Sequence, residues 1–148
     1  MNRTLVNIST EGLKKYLPNR YPYLMIDKAI EVIPGVTARG YKNLTANEWF
    51  FPVHFPEEPM MPGMVQMEAL FQMLSLTVLT LEGNEGLNVH GIAANKIRLK
   101  KRVVPGCQMC IEAVLTSWDG DIGSGSAKGI VDGEEVCSGE FTFRLFKN

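Results

Sequence analysis

The sequence predicts an α+β fold in which a curled antiparallel sheet wraps around one long central helix. Three observations predict it. The segment from Met64 to Leu81 is the most apolar of the chain and is greasy nearly all round, as a helix covered on more than one side must be. The chain after it breaks into strand-like runs whose separators, Pro105-Gly106, Asp119-Gly120 and Asp132-Gly133, are turn dipeptides that join antiparallel neighbours. Only that one helix is apolar enough to cover the face of the resulting sheet.

The elements follow in order. A short amphipathic helix is expected from Thr10 to Tyr16, capped by Thr10 and stopped by Pro18. The runs YLMIDKAIEVI and VTARGYKNLT flank Pro34-Gly35 and read as a hairpin. Pro52, Pro56, Pro59 and Pro62 stiffen the approach to the central helix, which is expected over 64–81. Four strands close the chain: HGIAANKIRLKKRVV, QMCIEAVLTSW, IGSGSAKGIV and EEVCSGEFTFRLF. A length of 148 residues, with 45% hydrophobic and 21% charged, fits a single domain spanning 1–148. A second copy of the chain is expected to complete the cover of the helix.

Composition excludes some functions. A net charge of −1 gives no overall attraction to nucleic acid or to an anionic membrane surface. Gln66, Glu68 and Gln72 interrupt the apolar segment, so it reads as a core helix and not as a membrane span. The opening segment MNRTLVNISTEGLKKYL has no uninterrupted apolar stretch, and three cysteines suit a reducing compartment, so a cytoplasmic protein is expected. Cys107 and Cys110 form one C-x-x-C. In a strand, residues three apart face opposite ways, so neither a disulfide nor a zinc site is expected there.

The stretch HFPEEPMMPGMVQMEALFQ, from His54 to Gln72, carries the chemistry. Glu68 and Gln72 share a helix face and are spaced to hydrogen-bond. Burial among Met67, Ala69, Leu70 and Phe71 favours a neutral carboxylic acid, which is a proton donor. Gly63 opens the helix, where unpartnered N–H groups and the dipole attract a developing oxyanion, and a missing Cβ admits a close approach. His54, held in a proline-stiffened segment, supplies an imidazole of general-base type. His90 has no supporting pattern and reads as structural.

This stretch resembles the active-site signature of the β-hydroxyacyl-acyl-carrier-protein dehydratases of the FabZ type, roughly H-F-P-x-x-P-x-x-P-G-V-L-x-x-E-A-x-A-Q. His54, Phe55, Pro56, Pro59, Pro62, Gly63, Glu68, Ala69 and Gln72 match it. LPNRYPYLMIDKAIEVIPG, KIRLKKRVVPG and GIVDGEEVCSGEFTF are similar to further family segments, so the likeness spans nearly the whole chain. The resemblance implies a hotdog fold, homodimers that assemble as trimers of dimers, and removal of water from a 3-hydroxyacyl thioester to give a trans-2-enoyl thioester. It implies no metal and no redox cofactor. By the same likeness His54 acts on the C2 proton, Gly63 N–H polarises the thioester carbonyl, and Glu68 protonates the departing hydroxyl. Gln72, Phe71 and Phe55 then belong to the substrate site, with His54 and Glu68 of one site drawn from different subunits. Glutamate at 68 is similar to this type, whereas the related dehydratase-isomerases carry aspartate there.

The departures are Gln66 at an apolar position, Phe71 at a small one, Met64-Val65, Arg102 and Cys107. Phe71 adds a ring on the catalytic helix and implies a narrowed or redirected acyl tunnel. Strand alternation puts Lys96, Arg98, Lys100 and Arg102 on one face, a row suited to an acidic acyl carrier protein bearing the 3-hydroxyacyl phosphopantetheine thioester, or else a solvated outer face. Two other readings stay open: a hotdog thioesterase using the helix carboxylate to activate water, and a silent hotdog subunit that binds acyl carrier protein.

Overall fold

The computed structural model describes residues 3–147, so the first two residues of the opening segment lie outside it. In chain order the elements are β1 (Leu5–Ile8), α1 (Thr10–Leu13), β2 (Lys28–Ile33), β3 (Thr37–Asn43), α2 (Gly63–Leu79), β4 (Asn88–Leu99), β5 (Gln108–Trp118), β6 (Ile122–Val131) and β7 (Glu134–Phe146). The strands form one antiparallel sheet in the order β1-β2-β3-β5-β6-β7-β4, and α2 packs against its inner face. The antiparallel sheet around one helix, expected from the turns and the single greasy helix, is therefore the one observed, as is the hotdog fold that the resemblance implies.

Two of the three turn dipeptides join sheet neighbours as expected, but Pro105-Gly106 does not: β4 pairs with β7, and β5 pairs with β3 and β6. Asp132 and Gly133 both take positive φ, at 51° and 78°, the pair of left-handed residues that a tight two-residue hairpin needs between β6 and β7. Asp119 Oδ1 accepts from the N–H groups of Asp121 and Ile122, closing the β5–β6 turn through its side chain.

Four further local expectations change. β1 is an additional edge strand, paired with β2 through Leu5↔Val32 and Ile8↔Ala29, and is too short to show a period in sequence. α1 is a single turn whose cap is Ser9, not Thr10: Ser9 Oγ accepts from Gly12 N–H at 3.1 Å, while the Thr10 hydroxyl turns to the Asp27 carbonyl. β4 ends at Leu99 because Val103 is drawn fully into the core, where its carbonyl accepts from Met61 N–H. Cys107 lies before β5 and not in it, and all three cysteines are free.

α2 is buried along most of its length. Its hydroxyls avoid orphaned groups by donating backward along the helix, Ser75 to Gln72 O and Thr77 to Leu74 O. Four of its residues, Gly63, Met64, Glu68 and Phe71, are not buried, and the last three are spaced i, i+4, i+7 on one stripe. Within β3, Lys42 is a buried cation satisfied by Glu48 at 3.0 Å and Asp27 at 3.6 Å.

At Gly40 of β3 an added Cβ would stand 2.0 Å from the Lys28 carbonyl oxygen and 2.8 Å from Ala29 Cα, both backbone atoms of β2. Gly40→Ala is expected to lower stability by at least ~1–3 kcal/mol, the usual range for overpacking, read as a lower denaturant midpoint with the slope unchanged.

Candidate active site

The approach to α2 is built to hold an imidazole. Met60 N–H donates to the His54 carbonyl at 2.9 Å, and the Met60 carbonyl lies 3.1 Å from His54 Nδ1. A carbonyl only accepts, so Nδ1 carries the proton in the neutral ring and Nε2 keeps its lone pair. The Phe55 ring stacks on the imidazole at 4.2 Å and holds its plane. Gly63 follows Pro62, which offers no side-chain cap, and among the described residues the Gly63 N–H has no acceptor. An N–H of this kind at a helix start is an oxyanion donor in waiting.

Glu68 sits half-buried on the open stripe of α2. Gln72 fixes it: its Nε2 donates to Glu68 Oε2 at 2.9 Å and to the Tyr23 carbonyl at 2.8 Å, while its Oε1 accepts from Met25 N–H at 2.8 Å. Burial pushes the Glu68 carboxyl above its ordinary value, against the opposing pull of the Gln72 hydrogen bond. Burial, and then the Glu68 charge, hold the Tyr23 phenol above its usual value.

The two halves face different spaces within one chain. Glu68, Phe71 and Gln72 line a cavity of ≈ 200 Å³ with Asn19, Ser75 and His90. Gly63 lines another, of ≈ 240 Å³, with Met60, Gln66 and Leu99. Two larger cavities, each ≈ 500 Å³, lie elsewhere and touch none of His54, Gly63 and Glu68. His90, read as structural, packs its ring on Phe146 at 4.2 Å and borders the Glu68 cavity. Phe71 is wedged edge-on against Phe141 and Phe143, with centroids at 5.9 and 6.2 Å.

The expected cationic row is broken up. A bulge between Asn95 and Arg98, where Lys96 takes φ 51°, interrupts the alternation, and Lys100 and Arg102 lie beyond the end of β4. Lys96 pairs with Glu140, Lys100 with Glu135 and Arg102 with Glu58. Arg98 has no carboxylate partner among the described residues and borders one of the larger cavities. Sequence reasoning missed Tyr23, Met25 and Met60, which act through backbone groups common to every residue type. Their one signal was the position of LPNRYPYLMID and PMMPG in longer matching runs.

Comparison with known proteins gives one consistent answer. A FabA-like domain matches residues 17–140. The 3-hydroxyacyl-[acyl-carrier-protein] dehydratase FabZ of Exiguobacterium sibiricum is 44% identical over 135 residues, covering 91% of this chain and 96% of its own. That of Bacillus subtilis is 43% identical over 138 residues, covering 93% and 98%. Among solved structures, the dehydratase heterocomplex ApeI:P from Xenorhabdus doucetiae superposes with a TM-score of 0.79 over 92% of this chain and 91% of that one; at 14% identity the likeness is one of fold.

A carboxyl raised by burial makes a signed prediction. The folded state favours the neutral acid, so its contribution is full at low pH and is lost as pH rises through the raised value. Glu68→Gln is therefore expected to melt higher than wild type at alkaline pH, with the gap narrowing below the ordinary glutamate range. Paired thermal melts across pH check this; a gap independent of pH would refute it.

Proposed function

The chain belongs to the FabA-like family, and we propose that it works as a FabZ-type hydro-lyase, taking water from 3-hydroxyacyl-[acyl-carrier-protein] thioesters in fatty-acid biosynthesis. The observation that carries the chemistry is Glu68: a carboxyl biased toward its acid form by burial and aimed by an amide with no freedom left.

The steps follow from the groups available. His54 Nε2 takes the C2 proton, and the electron pair moves into the thioester carbonyl, whose oxygen is met by Gly63 N–H. The pair returns to form the C2–C3 double bond as the C3–O bond breaks. Glu68 gives its proton to the leaving hydroxyl, which departs as water, leaving imidazolium and carboxylate to re-equilibrate. Phe55 holds the ring of His54, Gln72 holds Glu68, and Phe71 borders the acyl chain.

One protomer holds these groups as two half-sites, and a second copy supplies the missing halves. Support comes from the open stripe at Met64, Glu68 and Phe71, and from exposed apolar residues around the histidine, Val53 at 65% and Phe55 at 49%. β4 also presents a free sheet edge. The resulting homodimers assemble further as trimers of dimers. The acyl carrier protein docks on the outer face, where Arg98 is the member of the expected row that forms no salt bridge among the described residues.

Crotonyl thioester hydration, followed as loss of enoyl absorbance, tests the activity, with His54→Ala as the dead control; release of free thiol instead would favour the thioesterase reading. His54→Ala and Glu68→Gln chains, each inactive, are expected to regain activity when unfolded together and reassembled. Random pairing into dimers restores about a quarter of the wild-type sites. No recovery would mean that each site is built within one subunit.

A second measurement concerns the ring at position 71. Phe71→Ala should raise turnover of long 3-hydroxyacyl chains relative to short ones, compared with wild type. Identical chain-length profiles would remove Phe71 from the acyl site.

A further inference from the structure

Three peptide units between the histidine and the helix have no N–H, and the last of them leads directly into α2. Met61 precedes Pro62, so the Met61 carbonyl is the only hydrogen-bonding group of the peptide joining them. The unit before it is anchored at both ends. Its carbonyl, on Met60, takes the His54 Nδ1–H at 3.1 Å, and its N–H, on Met61, donates to the Val103 carbonyl at 2.8 Å. The unit after it presents the unpartnered N–H of Gly63. The linking unit itself is held from the first turn of α2, where Gln66 Nε2 donates to the Met61 carbonyl at 2.9 Å.

Gln66 is 4% exposed, and its Oε1 is buried without a hydrogen-bond partner among the described residues. The amide cannot turn over to help itself, since that would set carbonyl against carbonyl at Met61. A leucine or methionine of similar bulk would carry no such orphan. The amide stands at an otherwise apolar position, carries an orphan oxygen that an apolar side chain would not, and commits its donor to the Met61 carbonyl.

We propose that Gln66 is a positioning residue of the dehydratase site, clamping the Met61–Pro62 peptide so that His54 Nε2 and the Gly63 N–H keep one fixed spacing. This rests on the reading of the site given above. If the clamp is lost, the Met61–Pro62 plane can rotate, and that rotation moves the His54 acceptor on one side and the Gly63 donor on the other. Base and oxyanion donor lose register together. Bound substrate barely notices, because the transition state is what needs both at once.

Gln66→Met keeps the length of the side chain and removes both donor and acceptor; Gln66→Leu serves as a second variant should the first not fold. Crotonyl thioester hydration is expected to lose roughly tenfold in kcat with KM within about twofold, the pattern of a geometric fault. Ring 15N NMR of His54 at alkaline pH is expected to show a protonated Nδ1 in the wild type. In the variant the two ring nitrogen shifts should move toward each other as tautomers mix. A kcat within about twofold of wild type, or unchanged His54 ring shifts, overturns the proposal. A wild-type chain inactive on every thioester would sink the dehydratase reading instead, and the ring shifts would still decide the role of Gln66.

Discussion

The site depends on one side-chain amide. Gln72 is 1% exposed, and its oxygen and both its N–H bonds are committed, to Met25 N–H, the Tyr23 carbonyl and Glu68. It thereby ties the central helix to the segment that leads into β2, and it fixes the rotamer of the acid it touches. A carboxylate in this position costs stability; a carboxylic acid costs little. The helix can afford a titratable group on its open stripe because the group is oriented by a neighbour that is itself fully satisfied.

Much of this was legible in the chain. Asp132-Gly133 announced its hairpin, and the all-round greasiness of 64–81 announced a wrapped helix, which ends at Leu79. The candidates His54, Gly63, Glu68 and Gln72 stood out by residue type, spacing and family resemblance. What sequence did not carry is instructive. β1 is held by its partner strand and not by its own pattern, so four residues at an edge gave no period to read. The bulge at Lys96 is a backbone event, and it dissolved an alternation that looked regular on paper. The carbonyls of Met60, Met61 and Tyr23, and the N–H of Met25, are anonymous groups placed by the fold. Gln66 was visible as a departure from a pattern, but its bond partner was not.

The protomer reads as a body completed from outside. Most of α2 is sealed by sheet and loops, yet the stripe left open is the one that bears the acid. Gly63, at the helix start, lines a different space from Glu68. Folding of one chain therefore secures each half of the chemistry separately, with high internal order. In the proposed homodimer, association brings two already ordered surfaces together, which costs little further conformational entropy.

The buried ion cluster at β3 has a consequence for how this chain tolerates substitution. Lys42, nearly sealed from solvent, is matched by Glu48 and Asp27, and Asp27 also receives the Asn43 N–H. Losing the lysine strands two acids, and losing either acid leaves the cation under-compensated, whereas an apolar trio of similar volume would be tolerated. The intermediates are worse than either end. Replacing one member of the trio is therefore more damaging than replacing all three together.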